Sequence, residues 1–278
     1  MAERMPVVFV SHGAPDALLK APDAVACWRG IGETLPTPRA VLAVSAHWEA
    51  RQPTASLAGA PRTIHDFSGF SPALYRMEYP APGAPELAER AVALLGAAGV
   101  AAELHPDRGL DHGAWVPLVA MFPEPRIPVA QISLVRHGTP ADHRAVGQAL
   151  APLRDEGVLI LASGAITHNF AWFDWDSRPD APPLPRAETF SDWVEAKLRE
   201  GDPAAIEDYR RAPFGAEAHP TEEHFMPLLV AMGAGGSDRP RRLKPSFNYR
   251  GLSMDAYVWE TGSAADASRC RTRSTRRG

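Results

Sequence analysis

The chain of 278 residues has only two cysteines, Cys27 and Cys270, and no CxxC pair. A disulfide framework and a thiolate metal site are therefore excluded, and a reducing cytoplasm is the expected location. The sequence also lacks an excess of positive charge, with a formal net charge of -4 and an isoelectric point near 6.2. Because it has no basic face for a polyanion, we expect no nucleic acid as a partner and a small molecule instead.

Long apolar runs are absent as well. The N-terminus passes through residues 7–10 into polar His12, so it lacks the apolar core of a signal peptide. No run is long enough to span a bilayer, and no membrane partner is expected. From Gly262 onward there is almost nothing to bury. We therefore predict one folded domain at residues 1–261 and a disordered basic tail at 262–278.

Short apolar runs alternate with helical patterns along the rest of the chain. The runs are rich in Val, Ile or Leu and predict buried strands at residues 6–11, 41–45, 127–134 and 158–162. Residues 85–98 and 140–153 have helical periodicity, the second with Thr139 as a candidate N-cap. The alternation predicts a single α/β domain with a central, largely parallel or mixed sheet and helices on both faces.

Two histidines stand where a predicted strand ends. His12 follows the first apolar run, and His47 follows the second. Because the carboxyl ends of parallel strands meet at one edge of a sheet, both imidazoles are expected in the same crevice. Imidazole is a common ligand of borderline metals, and a rigid sheet fixes its direction better than loops can. The pair therefore predicts a metal site, with a hydrogen-bonded core role as the alternative.

A third candidate ligand, His224, precedes the apolar residues 228–233. Thr221 is a candidate N-cap, and Glu223 suits the first turn of a helix. His224 is therefore expected in that first turn, where the positive end of the helix dipole keeps an imidazole neutral and able to bind a cation. The alternative is a partly buried histidine at a helix start.

His112 and His168 are candidates for catalytic or supporting roles. His168 follows the last predicted strand, and the nearby Gly113 and Gly164 would let a substrate or metal approach the backbone closely. A capping or packing role is the alternative for His112. Three other histidines have polar or proline-rich neighbours and are predicted to lie on the surface: His105, His137 and His143.

Six motifs stand in the order found in one enzyme family. They are SHGAP at 11–15, SAHW at 45–48, DFSGF at 66–70, YPAPG at 79–83, LDHGAW at 110–115 and HFMPL at 224–228. On these motifs the chain resembles the LigB-like class III extradiol ring-cleaving dioxygenases, specifically their DODA-type (4,5-DOPA dioxygenase-like) branch. The resemblance implies that His12, His47 and His224 hold the metal, and that His168 and His112 face the substrate.

Two departures from the family's pattern bear on substrate identity more than on reaction class. His65 stands where tyrosine is more common in the family, and the sequence of residues 164–168 differs from the one that most family members have there. The branch also has a third histidine in place of the carboxylate of 2-His-1-carboxylate iron sites. The site is then one negative charge poorer, and a catecholate dianion would supply the missing charge.

The resemblance implies that a catechol-type ring is opened by O2 at a histidine-bound non-haem Fe(II), so that the partners are an aromatic diol and O2. His168 is the candidate base, because a neutral histidine suits proton removal at neutral pH. His112 is the candidate hydrogen-bond partner of a substrate oxygen. An apolar wall around the ring is expected from the candidate substrate-binding residues His65, Phe67, Phe70 and Trp115.

Two other function classes fit the same histidines. Three histidines and a water are also the ligand set of a catalytic zinc hydrolase. A non-catalytic binding protein of the same fold is the second alternative. Because zinc outranks iron in the divalent affinity series, Zn(II) is an expected contaminant of a purified sample. The sequence leaves the oligomeric state open.

Overall fold

The computed structural model describes residues 4–178 and 180–260, so the predicted tail at 262–278 lies outside the described residues. The strands are β1 Val7–Ser11, β2 Ala40–Ala50, β3 Thr54–Ser56, β4 Glu103–His105, β5 Val129–Val135, β6 Val158–Gly164, β7 Pro240–Leu243, β8 Phe247–Asn248, β9 Leu252–Ser253 and β10 Ala256–Trp259. The α-helices are α1 Ala17–Lys20, α2 Pro22–Thr34, α3 Pro85–Ala97, α4 His112–Met121, α5 Pro140–Leu150, α6 Pro185–Glu200, α7 Pro203–Glu207, α8 Gly215–Ala218 and α9 Met226–Gly235.

Eight strands form one mixed sheet in the order β4-β3-β5-β2-β6-β1-β10-β7. The four central strands β5, β2, β6 and β1 are parallel to one another, and β10 and β7 extend the sheet antiparallel beyond β1. The four apolar runs predicted as strands are these central strands. Because they run in the same direction, the carboxyl ends of β1, β2 and β6 meet at one edge, where polar side chains follow each strand.

The sheet has a hydrophobic core on each face. In β1, Val7 and Phe9 belong to the core under α3, α5, α6 and α9, whereas Val8 and Val10 belong to the core under α2 and α4. This alternation is the two-residue period of a strand that is buried on both faces. The prediction of one α/β domain with a mixed sheet and helices on both faces is confirmed. Within the described ranges, no helix is long and apolar enough to cross a membrane.

The prediction that His143 lies on the surface is wrong. Its side chain is only 2% exposed, because it packs between the start of α5 and the end of β5. Its ring Nδ1 donates to the carbonyl of Thr139 at 2.9 Å, and its Nε2 accepts from the backbone N–H of Val135 at 3.2 Å. His143 is therefore a neutral structural link between a helix and a strand. His137 is exposed, as predicted, and His105 is half-buried.

Candidate active site

His12 lies immediately after β1 and is held by both its backbone and its ring. Its backbone N–H donates to the carbonyl of Gly164 at the end of β6, at 3.0 Å. Its Nδ1 lies 2.9 Å from the hydroxyl oxygen of Ser163, which itself donates to the carbonyl of Gly113 at 2.5 Å. Since the single hydroxyl proton of Ser163 is used there, His12 must donate from Nδ1, and its Nε2 keeps a free lone pair.

His47 lies within β2, which runs further than the apolar pattern predicts. The pairing of β2 with β5 shifts register between Val44 and Glu49, so the segment that contains His47 is bulged. Bulges next to sites re-aim a side chain, and here the bulge brings Nε2 of His47 to 3.1 Å from Nε2 of His12. On the other side of the ring, Nδ1 lies 3.4 Å from an oxygen of Asp66.

His224 lies two residues before α9 and not in its first turn, because the helix begins at Met226. Thr221 is therefore not the N-cap, and this prediction is wrong. The Thr221 hydroxyl instead donates to a carboxylate oxygen of Glu223 at 2.9 Å. The same oxygen lies 2.9 Å from Nδ1 of His224, so Glu223 accepts from the ring and leaves Nε2 free. The ring is therefore oriented by this carboxylate, and the expected place in the first turn at the positive end of a helix dipole is not observed.

Two glycines allow the histidines to come close to the backbone. A Cβ atom at Gly164 would lie 2.2 Å from the carbonyl oxygen of His224. At Gly113 it would lie 2.3 Å from the hydroxyl oxygen of Ser45 and 3.0 Å from the ring of His47. The sequence predicted close approach at these positions by a substrate or metal, but the groups that approach are the protein's own candidate ligands.

The donor set of His12, His47 and His224 fits a metal ion. One nitrogen from each ring lies within 4.8 Å of the others, and all three rings converge on the strand-end edge of the sheet. Two nitrogens each about 2.1 Å from one ion, at right angles to it, would lie about 3.0 Å apart. The Nε2 atoms of His12 and His47, 3.1 Å apart, match that spacing. Each Nδ1 faces an oxygen atom, as is usual for metal-binding histidines.

These three rings are neutral at physiological pH. Burial lowers the pKa of His47 to about 3; the neighbouring His112 acts in the same direction and Asp66 opposes it. Burial, reinforced by the surrounding histidines, also holds the pKa values of His12 and His224 well below their usual range. A neutral imidazole is the form that binds a cation, so the buried cluster is ready to accept one without first losing protons.

Two further groups of side chains are close enough to hold an ion: His47 with Asp66 and His112, and His168 with Glu223 and His224. In each, a hydrogen bond of 2.9 Å already joins the carboxylate to a ring Nδ1. The carboxylates therefore serve as acceptors for the histidines. The all-histidine group has no such internal carboxylate contact and is the better candidate for the metal.

His112 is the first residue of α4, which is capped by Asp111. Its ring lies beside that of His47, with the centroids 4.0 Å apart. Its backbone N–H and its Nδ1 both contact one oxygen of Asp66, at 3.0 and 2.9 Å. Burial alone would raise the pKa of Asp66, but the hydrogen bonds and charge of His112 outweigh burial and hold that pKa well below its usual range.

His168 lies four residues beyond β6 and stacks on His224, with centroids 3.5 Å apart and ring planes 8° apart. Its backbone N–H donates to the carbonyl of Ala218 at 2.9 Å. Burial lowers the pKa of His168 to about 4, opposed by Glu223. His168 is thus a neutral ring beside the group formed by His12, His47 and His224, and its backbone is anchored to Ala218.

Aromatic rings adjoin His112 and form one wall of the site. Phe67 contacts His112, with centroids 5.7 Å apart, and Phe70 packs on Phe67 at 5.6 Å. His65 lies 5.7 Å from Phe67 and its Nε2 donates to the carbonyl of Met77. Trp115 is fully buried behind these rings, and its indole N–H donates to the carbonyl of residue 64. Trp115 therefore supports the wall from behind.

The structure thus gathers His12, His47, His112, His168 and His224 at one edge of the sheet. Sequence reasoning missed the oxygen atoms behind the rings, which belong to Ser163, Asp66 and Glu223. Asp66 lies within one of the six motifs and Glu223 precedes a candidate ligand, so both positions carried a signal. Nothing in their residue types showed which histidine each would contact.

Comparison with known proteins gives one family. Residues 24–259 match the family described as the catalytic LigB subunit of aromatic ring-opening dioxygenase. A 4,5-DOPA dioxygenase extradiol of Escherichia coli K12 is 39% identical over 85% of this chain and 88% of its own length. A relative of the same name from Beta vulgaris is 42% identical over 84% and 88%. The crystal structure of an uncharacterized Escherichia coli K12 protein superposes with a TM-score of 0.76 at 33% identity, covering 92% of this chain and all of that one.

Proposed function

The chain belongs to the LigB family of aromatic ring-opening dioxygenases and is an enzyme of the extradiol class, and on that premise we propose that it opens a catechol-type ring with O2 at an Fe(II) ion held by His12, His47 and His224. The observation that carries the proposal is the convergence of three neutral imidazoles, each with Nδ1 facing an oxygen atom. Family membership gives the reaction class, and this geometry supports the ligand set.

Fe(II) held by these three residues would supply the redox chemistry of the reaction, as a route for electrons from the aromatic ring to O2. Zinc has no redox chemistry and would fill the same three ligands without supporting turnover. The donor set favours an anionic substrate, because three neutral ligands leave the charge of a divalent cation uncompensated. A catecholate would compensate it.

The proposed base is His168. Its ring is neutral at pH 7 because burial lowers its pKa, so it can accept a proton from a catechol hydroxyl. It stacks on His224, which places it next to the metal cluster without making it part of the three-nitrogen group. His112 donates from Nδ1 to Asp66, so the nitrogen it can present to a substrate oxygen is Nε2.

Phe67 and Phe70 are proposed to contact the substrate ring. Both are only partly buried, and Phe67 packs directly against His112. His65 and Trp115 complete the substrate-binding set from further back, since His65 bonds to a loop carbonyl and Trp115 is fully buried. The wall therefore recognises a flat apolar ring, while the histidines recognise its oxygen atoms.

The two alternative function classes lack this support. The relatives that match most of the chain are named extradiol dioxygenases, which favours neither a zinc hydrolase nor a non-catalytic binding protein. The relatives named for 4,5-DOPA make catechols with an amino-acid side chain natural members of a substrate panel.

Oxygen uptake tests the proposal. Metal-free protein is loaded anaerobically with Fe(II) and given a panel of catechols, and O2 consumption is followed together with loss of the catechol absorbance. We expect one O2 consumed per ring opened with at least one catechol, and none with the zinc-loaded protein. Equal turnover with zinc, or no uptake with any catechol by protein that holds stoichiometric iron, would refute the proposal.

A further inference from the structure

One carboxylate lies between a candidate metal ligand and a candidate catalytic histidine. Oδ1 of Asp66 accepts from the backbone N–H of His112 at 3.0 Å and from its ring Nδ1 at 2.9 Å. Oδ2 of the same side chain lies 3.4 Å from Nδ1 of His47. The two imidazoles are neighbours, with centroids 4.0 Å apart. Asp66 thus contacts the outer nitrogen of both rings.

These contacts determine which nitrogen of each ring carries a proton. An ionised carboxylate only accepts hydrogen bonds, so a ring nitrogen that faces it must be protonated. His112 therefore carries a proton on Nδ1, and Nε2 is the nitrogen left to face a substrate. For His47 the contact is a looser one of 3.4 Å, through which the negative charge of Oδ2 favours a proton on Nδ1 over one on Nε2.

A proton on Nδ1 rather than on Nε2 is needed in both rings. His47 can ligate a metal through Nε2 only if that atom has no proton, and its Nε2 is the atom 3.1 Å from Nε2 of His12. His112 can accept a hydrogen bond from a substrate hydroxyl only if its own Nε2 is bare. The other two candidate ligands have separate acceptors, Ser163 for His12 and Glu223 for His224.

We infer that Asp66 is a positioning residue that sets the tautomer of His47 for metal binding and that of His112 for substrate binding with its two carboxylate oxygens. This rests on the proposed function in that a metal occupies the three-histidine group. It goes beyond that function because one carboxylate then sets both the metal affinity of His47 and the tautomer of His112, which does not bind the metal. Asp66 itself touches neither metal nor substrate.

Asp66→Asn gives the sharpest test, because an amide has only one acceptor oxygen. Two donors of His112 face Oδ1, so the amide oxygen should stay there and the NH2 group should turn toward His47. An NH2 group faces Nδ1 of His47 well only when that nitrogen is bare, which moves the ring proton to Nε2, the metal-binding atom. We expect the metal Kd to rise about 10- to 100-fold. Asp66→Ala should weaken metal binding similarly and also free the ring of His112.

The matched control is Asp238→Asn. Asp238 is similarly exposed, with 26% of its side chain accessible against 22% for Asp66, and it pairs with buried Arg154 away from the histidines. Loss of the Asp238 charge should lower the thermal midpoint without changing the metal Kd by more than about 3-fold. A carboxylate that acts only through overall stability would therefore give Asp66→Asn and Asp238→Asn the same effect on metal binding.

Two measurements decide the inference. Chelator competition under anaerobic conditions gives the Fe(II) Kd of each variant, and nitrogen-15 spectra of histidine-labelled, zinc-loaded protein give the tautomer of His112. We expect the Nδ1–H tautomer of His112 in the wild type and in Asp66→Asn, and its loss in Asp66→Ala. Wild-type metal affinity in both Asp66 variants would overturn the inference. So would an Nε2–H tautomer of His112 in the wild type, a result that does not depend on any variant folding. Neither measurement uses a catechol, so failure to cleave one would refute the proposed function alone.

Discussion

Replacing His168 should separate metal binding from proton transfer, because its ring adjoins the three candidate ligands without being part of their group. His168→Ala removes a neutral ring stacked on His224 but none of the three ligands. We expect metal content to stay near stoichiometric while turnover falls by about 10²- to 10⁴-fold, the usual contribution of a positioned base. Metal analysis and single-turnover rates on the same sample provide the measurement.

His47→Ala is the control for this experiment and should lose the metal itself. If His168→Ala loses metal in parallel with activity, His168 is a fourth ligand in the resting enzyme. Unchanged turnover would show that another group removes the proton. Glu223 and His112 are the candidates for that role, since both lie close enough to His168 to shift its pKa.

Gly113 is a second residue whose replacement tests the site without touching a ligand. An alanine Cβ would lie 2.3 Å from the hydroxyl oxygen of Ser45, which accepts from the backbone N–H of His47, and 3.0 Å from the ring of His47, so Ser45 would have to move and His47 would shift slightly with it. We expect Gly113→Ala to weaken metal binding by about 10-fold or more, because outer contacts set ligand orientation. Gly30→Ala, in α2 with nothing within 4 Å of the added carbon, should leave metal affinity unchanged. Equal metal affinities in the two variants would contradict this account.

Single residues show how far the sequence alone could lead. Four of the five histidines of the site could be selected because each follows a strand or precedes an apolar segment, whereas His112 was selected from its glycine neighbour and the family motif. The roles of Asp66 and Glu223 could not, since a hydrogen bond between distant segments depends on loop paths. His143 was misassigned because polar sequence neighbours do not reveal that a helix start folds back over a strand.

Elements were predictable where their pattern was distinct. The four central strands are uniformly apolar and the amphipathic α3 and α5 have a clear stripe, so all were predicted. Helix α4 was not predicted as an element, because every residue in it except Val119 is buried and no polar face marks its period. The start of α9 was placed too early, since Thr221 and Glu223 have the composition of a helix cap but are used to orient His224.

The start of α5 gives a prediction at the scale of one element. Thr139 accepts from the backbone N–H of Asp142, and the carboxylate of Asp142 accepts from the backbone N–H of Thr139, which completes a capping box. Thr139→Ala should lower the free energy of unfolding by about 0.5–2 kcal/mol. Thr34→Ala is the control, because the Thr34 hydroxyl only donates back to the carbonyls of residues 30 and 31 within its own helix. Urea denaturation should show a loss for Thr139→Ala that Thr34→Ala does not share.

More than half of the histidines in the molecule are buried and uncharged at neutral pH. Burial lowers the pKa of six of the ten: His12, His47, His143, His168, His219 and His224. Four of them meet in one cluster, where a charge on any ring opposes a charge on the next. His143 and His219 lie outside the three-nitrogen group and are buried in their own hydrogen-bonded positions. The fold is therefore built around imidazoles that must stay uncharged.

This arrangement predicts that the metal-free protein is sensitive to mild acid. A histidine whose pKa is lower in the folded than in the unfolded chain binds its proton mainly when unfolded, so acid favours unfolding. Its contribution to stability is complete above pH 6.5, the unfolded value, and is lost as the pH falls toward the folded value, which is about 3 for His47 and His219 and about 4 for His168. Each such ring lowers the free energy of unfolding by up to about 1.4 kcal/mol per pH unit in that window.

Thermal midpoints of metal-free protein between pH 7.5 and 5 measure the effect, because ordinary carboxylates titrate below this range. We expect a nearly constant midpoint above pH 7 and a steep fall below 6.5. His143→Gln, outside the candidate site, should be less stable at pH 7.5 but lose stability less steeply in acid, since one of the six neutral rings is gone. His137→Gln, at an exposed position, should leave the slope unchanged. A midpoint that stays flat down to pH 5 would mean that the buried rings accept protons in the folded state as readily as in the unfolded chain, and that burial does not lower their pKa values.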